Sequence, residues 1–230
     1  GDVAGAAQDI VLVLAKDGST AGRLGEHYGE TLRVADVPRH FVDAVLATED
    51  RRFRDHGGID YAGIARAAVV NIRAGHVVQG GSTITQQVAK TLFLTNARTW
   101  RRKGQELLLA WWLERHYGKD EILSIWMNRV YLGAGTFGVD AAARLYFGTS
   151  ARRLTLFQAA VLAGLPKAPS RLNPEADPEA ATERARVVLA NMVDPGFLGQ
   201  DQADAAKPSP DRPMSLPGRP PRARYFPDWA

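Results

Sequence analysis

The sequence contains no cysteine, which excludes a disulfide framework and any metal site built from thiolates. It also lacks a long apolar run, because the longest one, Leu107 to Leu113, is far shorter than the ~18 residues that cross a membrane. The five histidines form no HExxH pattern, so a dedicated zinc site is not expected. What is present, 45% hydrophobic and 23% charged residues over 230 positions, is typical of a folded domain with a sizeable core.

The balance of charge is slightly basic, with a formal net charge of +4 and an isoelectric point near 9.5. This excess favours anionic partners such as lipid headgroups, phosphates or nucleic acid. The chain begins at Gly1 rather than methionine and contains no signal peptide, so we expect that an upstream membrane anchor has been removed.

Helical periodicity dominates the chain after Pro38, whereas Ile10 to Leu14 has the pattern of a short buried strand. Beyond Gly199 the chain is rich in proline and arginine and has no periodicity. We therefore predict a mainly α fold with a short N-terminal β element: a β segment over 1–33, a central domain over 34–199 and a linker over 200–230. The predicted helices run from Phe41 to near Gly57, from Asp60 to Gly75, from Ser82 to Leu92, from Trp100 to Tyr117, from Lys119 to Arg129, from Val139 to Phe147, from Thr155 to Leu165 and from Pro178 to Val193.

One glutamate lies where a surface residue is not expected. Glu49 follows Val45 by four positions and precedes Phe53 by four, so on a helix it falls on the apolar stripe. Removing a carboxylate from water raises its pKa, which suits the group to general acid or base catalysis near neutral pH. The alternative is a buried glutamate neutralised by Arg52 or His56, or a stripe that ends before position 49.

A second carboxylate, Glu106, has cationic neighbours at Arg102 and Lys103. Either these residues form an ordinary intrahelical salt bridge, worth ~0.3–0.5 kcal/mol, or Glu106 belongs to an active site. Together with Arg98 and Arg101, the two cations concentrate positive charge that suits a phosphate or diphosphate, unless the run is a solvated basic face.

Between the two glutamates lies the run GGSTITQQVAK, in which two glycines lead into a helix. Such an arrangement resembles an anion cradle, although the spacing of a P-loop is absent. The alternative is a capped, solvated helix. The run carries hydroxyl, amide and ammonium groups that are compatible with sugar binding, at Ser82, Thr83, Thr85, Gln86, Gln87 and Lys90.

Taken in order, these segments resemble the peptidoglycan glycosyltransferase domain, glycosyltransferase family fifty-one, of class A penicillin-binding proteins and their monofunctional relatives. The resemblance covers the chain from about Val34 to Gln200, and the tail RARYFPDWA resembles the approach to a transpeptidase domain. Three residues differ from the family's usual ones, since Ser124, Trp126 and Ala185 replace an acidic residue, a tyrosine and an arginine. The motifs are EDRRFRDHGGID from Glu49, GGSTITQQVAK from Gly80, RRKGQE from Arg101, KDEILSIWMNRVYLG from Lys119 and, approximately, RARVVL from Arg184.

The resemblance implies a lysozyme-like helical fold with a head lobe and a smaller, membrane-proximal jaw lobe. It implies an enzyme that polymerises lipid II into β-1,4-linked glycan strands, with inversion at the anomeric carbon and release of undecaprenyl diphosphate. The implied place is the periplasmic face of the bacterial inner membrane. The implied partners are the growing glycan strand, the membrane surface and cell-wall synthesis proteins, and not nucleic acid. The sequence shows no required cofactor, and a divalent ion, Mg²⁺ or Mn²⁺, would act at the diphosphate.

The resemblance also gives residues their roles. Glu49 matches the base that deprotonates the 4-hydroxyl of the acceptor sugar, and Glu106 matches a second carboxylate beside the acceptor or the leaving diphosphate. Phe53 and His56 are expected to hold the helix of Glu49 in place. The remaining residues expected at the substrate site are Lys90, Arg102, Lys103 and Arg184 for the diphosphate, Thr83, Gln86, Gln87 and Asn128 for binding sugars or shaping the site, and Asp50 and Ser82 beside them.

Two other functions are compatible with these residues. One is a glycan-cleaving enzyme of the lysozyme or lytic transglycosylase type, which would share the fold and a single catalytic glutamate. The other is a basic helical module that binds a membrane or nucleic acid without catalysis. The cationic run beside Glu106 favours a diphosphate donor, which a glycan-cleaving enzyme does not need.

Overall fold

The computed structural model describes residues 27–76, 81–92 and 100–207, and these residues are mostly helical. The strand predicted at Ile10 to Leu14, Gly80 and the tail from 208 onward lie outside the described residues. Strand β1, His27–Tyr28, pairs in parallel with β2, Thr136–Phe137. The predicted mainly α fold class is confirmed, whereas the division into a head lobe and a jaw lobe stays a prediction.

The helices of the described residues follow the predicted ones closely in the second half of the chain, where three of them have the predicted bounds. They are α1 Arg39–Glu49, α2 Tyr61–Ala74, α3 Ile84–Thr91, α4 Trp100–His116, α5 Lys119–Arg129, α6 Val139–Phe147, α7 Leu156–Gly164, α8 Pro169–Leu172, α9 Pro178–Val193 and α10 Gln200–Ala206.

Helix α1 ends earlier than predicted, at Glu49 rather than near Gly57. The residue after it, Asp50, leaves the helical region with φ −162° and ψ 80°, and its carboxylate accepts a hydrogen bond from the backbone N–H of Ile84 at 3.1 Å. The chain then continues in turns, in which Phe53 is fully buried. Glu49 is therefore the last residue of its helix and not the middle of a longer apolar stripe.

Helix α3 begins after Thr83, and not after Ser82 as predicted. Thr83 and Gln86 form a capping box: the Thr83 hydroxyl accepts from the Gln86 N–H at 3.1 Å, and the Gln86 amide oxygen accepts from the Thr83 N–H at 3.3 Å. The cap predicted for α2 is confirmed, because an Asp60 oxygen accepts from the Gly63 N–H at 2.9 Å.

Two short helices, α8 and α10, were not predicted. Helix α10 occupies 200–206, at the start of the segment predicted to be a linker. It packs against α9, and its Ala203 is buried, so tertiary contact rather than periodicity stabilises it.

The helices pack into two groups that share one hydrophobic core. Helices α1, α7 and α9 pack against one another, while α3 packs against α4 and α5. Asp50 joins the groups, since it follows α1 directly and binds the N-terminus of α3. This junction, at the C-terminal end of α1, is where Glu49 lies.

Candidate active site

Glu49 lies at the end of a chain of hydrogen bonds that crosses three helices. The Gln87 amide nitrogen on α3 donates to Glu49 Oε2 at 2.7 Å. The Trp126 indole nitrogen on α5 donates to the Gln87 amide oxygen at 2.8 Å. Trp126 is 3% exposed, so the far end of the chain is shielded from water. The carboxylate is thus held in a fixed direction by neutral donors.

The surroundings of Glu49 disfavour its ionised form. The side chain keeps some contact with solvent, yet protein surrounds the carboxylate on most sides, and this burial raises its pKa. The hydrogen bond from Gln87 and the positive charge of Arg184 act in the opposite direction, and the charge of Asp50 adds to the increase. Burial outweighs the two stabilising contacts, so the pKa of Glu49 is raised overall.

The neutralising partners considered from the sequence do not bind Glu49. Arg52 pairs with Asp60 at 3.4 Å, and His56 pairs with Asp50 at 2.8 Å. The alternative that Arg52 or His56 neutralises Glu49 is therefore wrong.

Arg184 is the cation that acts on Glu49. It lies on α9, where burial lowers its pKa and the charge of Glu49 raises it. Its Nε donates to the carbonyl oxygen of Gly164 at 3.3 Å. A Cβ atom at position 164 would lie 2.8 Å from Arg184 Cγ, so only glycine leaves room for this arginine. The fifth motif thus reaches the site of the first across the packed helices α7 and α9.

A buried, hydrogen-bonded pair of side chains follows Glu49 directly. The Asp50 carboxylate lies 2.8 and 2.9 Å from His56 Nε2, and both side chains are at most 5% exposed. The His56 ring packs edge-on against Phe53, with ring centroids 6.3 Å apart. Since Asp50 also binds the N–H of Ile84, all three predicted residues fix the turn after α1. Direct contact between them and the substrate stays a prediction.

Lys119 supports the same turn from α5. Its Nζ donates to the carbonyl oxygen of His56 at 2.5 Å and lies 4.5 Å from the centre of the Phe53 ring. It also pairs with Glu114 at 2.8 Å, and Glu114 accepts a hydrogen bond from the Thr85 hydroxyl at 2.5 Å. Lys119 therefore joins the first motif to the fourth, and Glu114 links this contact to the second motif.

The hydroxyls and amides of the second motif are divided between structure and site. Thr83 and Gln86 are buried in the capping box, and the Thr83 hydroxyl also donates to the carbonyl oxygen of Gly58 at 2.7 Å. Gln87 faces Glu49, while Ser82 and Lys90 are exposed. The structure thus places Thr83 and Gln86 in the cap of α3 and leaves Ser82 and Lys90 exposed, while contact of these residues with a substrate stays a prediction.

Glu106 lies between two cations on α4. Arg102 Nε is 3.5 Å from Glu106 Oε1, and Lys103 Nζ is 3.4 Å from Glu106 Oε2. Arg102 also donates to the carbonyl oxygen of Lys90 at 3.5 Å, which ties α4 to the end of α3. The intrahelical ion pairs considered from the sequence are present, and a catalytic role for Glu106 stays a prediction.

Asn128 holds the chain that precedes α1. Its amide oxygen accepts from the Leu32 N–H at 2.9 Å, and its amide nitrogen donates to the carbonyl oxygens of Leu32 and Ser124 at 2.7 and 2.8 Å. The Ser124 hydroxyl accepts a hydrogen bond from the Val34 N–H at 3.1 Å. Ser124, which replaces the family's more usual acidic residue, therefore also binds the segment before α1. These contacts give Asn128 a structural role, and its part in shaping the substrate site stays a prediction.

Sequence reasoning missed the support that Trp126, Lys119 and Gly164 give to the site. Trp126 was noted only as a departure from the family, and Gly164 lies in an apolar run with no polar group of its own. It also missed Asp140, a buried carboxylate that binds Arg144 and two backbone N–H groups. Trp126, Lys119 and Gly164 act on residues at least 20 positions away, so spacing along the chain does not reveal these contacts.

Across 27–76, 81–92 and 100–207, no group of three or more His, Cys, Asp or Glu side chains is arranged to hold an ion.

The transglycosylase family model matches residues 17–193 of the chain. The chain is 47% identical to penicillin-binding protein 1A of Aquifex aeolicus and 44% identical to penicillin-binding protein 1A of Pseudomonas aeruginosa, over 84% and 86% of its length. It spans about a quarter of the length of these curated relatives, 27% and 24%. A crystal structure of penicillin-binding protein 1A from Haemophilus influenzae is similar with a TM-score of 0.50 and 28% identity, over 85% of this chain and 19% of that one.

A family match over most of the chain and relatives at this level of identity do not favour the glycan-cleaving alternative. The chain belongs to the transglycosylase family, and its resemblance to the peptidoglycan glycosyltransferase domain is confirmed.

Proposed function

We propose that this chain polymerises lipid II into β-1,4-linked glycan strands, with Glu49 as the base. The observation that carries the proposal is a recessed carboxylate of raised pKa, oriented by Gln87 and placed beside the cation Arg184, in a chain of the transglycosylase family.

In the proposed reaction, the Glu49 carboxylate takes the proton of the acceptor sugar's 4-hydroxyl. The resulting oxygen attacks the anomeric carbon of the lipid-linked strand, and the bond from that carbon to the diphosphate oxygen breaks. The electron pair leaves with undecaprenyl diphosphate, and attack from the opposite face inverts the anomeric carbon. A raised pKa brings the base closer to the operating pH, where proton transfer is most efficient.

The leaving diphosphate needs positive charge, because negative charge develops on it as the bond breaks. We assign this role to Arg184 beside Glu49 and to Lys90, Arg102 and Lys103 at the contact of α3 with α4. Glu106 pairs with Arg102 and Lys103 on α4 and is proposed to hold them in position for the diphosphate. A divalent ion would be bound by the diphosphate of the substrate, and we assign it no step of the reaction.

Large apolar side chains on two helices support work at a membrane surface. Tyr61 and Ile72 on α2 are 76% and 79% exposed, and Leu108 and Trp111 on α4 are 69% and 52% exposed. In the described part of the chain, no helix is both long and apolar enough to span a bilayer. We propose that these side chains contact the periplasmic face of the inner membrane, where the lipid tail of the substrate lies. Contacts with cell-wall synthesis proteins and the domain boundaries remain predictions.

The deciding experiment gives the protein lipid II and, separately, purified peptidoglycan. Glycan strands that lengthen on lipid II support the proposal, whereas soluble fragments released from peptidoglycan would replace it with the cleaving alternative. Glu49→Gln should lower polymerisation by roughly 10²–10⁴-fold, the usual contribution of a general base. Glu175→Gln changes an exposed glutamate in the same way and serves as the control. Near-normal polymerisation by the folded Glu49→Gln protein would refute Glu49 as the base.

A further inference from the structure

We propose that Trp126 is a positioning residue for the base, because its indole N–H fixes the Gln87 amide so that the NH₂ group faces Glu49. The proposal rests on the proposed function only in treating Glu49 as the base. The contact itself depends on the fold alone: Trp126 Nε1 to Gln87 Oε1 is 2.8 Å, and Gln87 Nε2 to Glu49 Oε2 is 2.7 Å.

The direction of this hydrogen-bond chain follows from the chemistry of its first group. An indole can donate a hydrogen bond and cannot accept one, whereas the two ends of a glutamine amide are nearly equal in shape and opposite in role. Trp126 is 3% exposed, so water does not readily replace Gln87 as the acceptor of its N–H. The carbonyl end of Gln87 is therefore committed to Trp126, and the NH₂ end is committed to Glu49.

This commitment favours the ionised form of the base. If the Gln87 amide turned over, its oxygen would face the Glu49 carboxylate, and that pair is stable only when Glu49 carries a proton to donate. The turned amide would also place its NH₂ group against the Trp126 N–H, so two donors would face each other. Trp126 thus penalises the arrangement that suits protonated Glu49.

The other charged groups around Glu49 do not replace this effect. Arg184 from α9 favours the ionised form, and Asp50 on the following turn opposes it. Helix α7, which packs against α1, contains no ionisable side chain between Leu156 and Gly164. Gln87 is the neutral donor that approaches from α3, and its orientation decides whether it helps or opposes ionisation.

The sharpest test replaces Trp126 by 3-benzothienylalanine, which keeps the two-ring shape and exchanges the N–H for sulfur. We expect kcat/KM for lipid II to fall roughly two- to tenfold on the acid side of the pH profile, the usual effect of one hydrogen bond between neutral groups. The loss should shrink as the pH rises, because more of Glu49 is then ionised without help. The matched control carries the same replacement at Trp112. This residue stacks on His116 and takes no part in the hydrogen bonds from Trp126 through Gln87 to Glu49.

A role in packing alone predicts a different result. An unchanged pH profile, or a loss of the same size at every pH, would overturn the proposal. Trp126→Phe provides a second variant; its acid limb should move in the same direction, although the smaller ring also leaves a cavity.

A second measurement needs no substrate. In ¹⁵N-tryptophan-labelled protein, the indole N–H signal of Trp126, identified by its absence from Trp126→Phe, should shift as Glu49 titrates, and Glu49→Gln should abolish that shift. A titrating indole in a protein that does not polymerise lipid II would refute the proposed function and support the positioning contact. If the protein polymerises lipid II but its Trp126 indole signal does not shift as Glu49 titrates, the positioning contact alone is refuted.

Discussion

Replacing the proposed base should make the folded protein more stable at neutral pH. Burial raises the pKa of Glu49 despite the opposing effects of the Gln87 hydrogen bond and the Arg184 charge. A raised pKa means that the folded state binds the proton more tightly than the unfolded state does. Above the unfolded pKa, ionisation of Glu49 therefore costs stability. Glutamine resembles the protonated carboxyl in shape and carries no charge, so Glu49→Gln avoids this cost.

The contacts around Glu49 set the size of the gain. The new side chain can still accept the hydrogen bond from Gln87, so that contact is kept. The attraction of Arg184 for the ionised group is lost, but the raised pKa already includes it, so the net sign is unchanged. Single stabilising substitutions commonly give about 0.5–2 kcal/mol, and we expect Glu49→Gln to fall in this range. For a chain of this length each ~1 kcal/mol raises Tm by roughly 2–4 °C.

The pH dependence separates this explanation from a general packing effect. Below the ordinary glutamate pKa of ~4.3, both proteins are neutral at this position and should unfold at the same temperature. The difference should appear as the pH rises above that value and become constant above the raised pKa of folded Glu49. Thermal unfolding from pH 4 to pH 8, with Glu175→Gln as the control, measures it. An equal or lower Tm for Glu49→Gln at pH 7 would show that burial does not dominate at this carboxylate.

Three further predictions concern the surroundings of the site. Gly164→Ala should displace Arg184, destabilise the protein by about 1–3 kcal/mol in chemical unfolding and lower polymerisation. The control, Gly104→Ala, adds a Cβ that meets no atom within 4 Å and should stabilise the protein by roughly 0.5–1 kcal/mol. Lys119→Met should lower the free energy of unfolding by roughly 3 kcal/mol, because it leaves the charge of Glu114 buried without a partner. Adding Glu114→Gln should restore part of the loss in a double-mutant cycle, whereas a Lys119→Met protein as stable as the wild type would show that Lys119 does not support the site. Burial alone would raise the pKa of Asp140, but hydrogen bonds from Arg144 and two backbone N–H groups lower it overall. Asp140→Asn should therefore lower the free energy of unfolding by about 2 kcal/mol at pH 7, and by progressively less as the pH falls below ~4. A loss of stability that does not depend on pH would contradict the charge argument.

Local chemistry explains which parts of the fold the sequence could predict. The bounds of α5, α6 and α9 were predicted because glycine or proline marks an end of each helix. The end of α1 was misplaced because Asp50 leaves the helix to bind the N–H of Ile84, which is 34 positions away. A contact of that range has no counterpart in local periodicity.

The candidate site shows the same limit. The motifs named Glu49, Gln87 and Arg184, but spacing alone assigned no contact among them. The apolar stripe placed Glu49 near the core through Val45 and Leu46, which are buried on α1, but Phe53 lies beyond the end of that helix. What raises its pKa is burial at the junction of two helix groups, and only packing creates that junction.

The second motif combines residues that stabilise helix α3 with one residue that binds Glu49. The adjacent Gln86 and Gln87 make different contacts, because successive residues on a helix point ~100° apart. Gln86 turns inward to cap α3, and Gln87 turns toward Glu49. The Thr83 and Thr85 hydroxyls are likewise bound inside the protein. Most hydroxyls and amides of this run are therefore bound within the protein, whereas Ser82 and Lys90 are exposed, and their contact with a substrate stays a prediction.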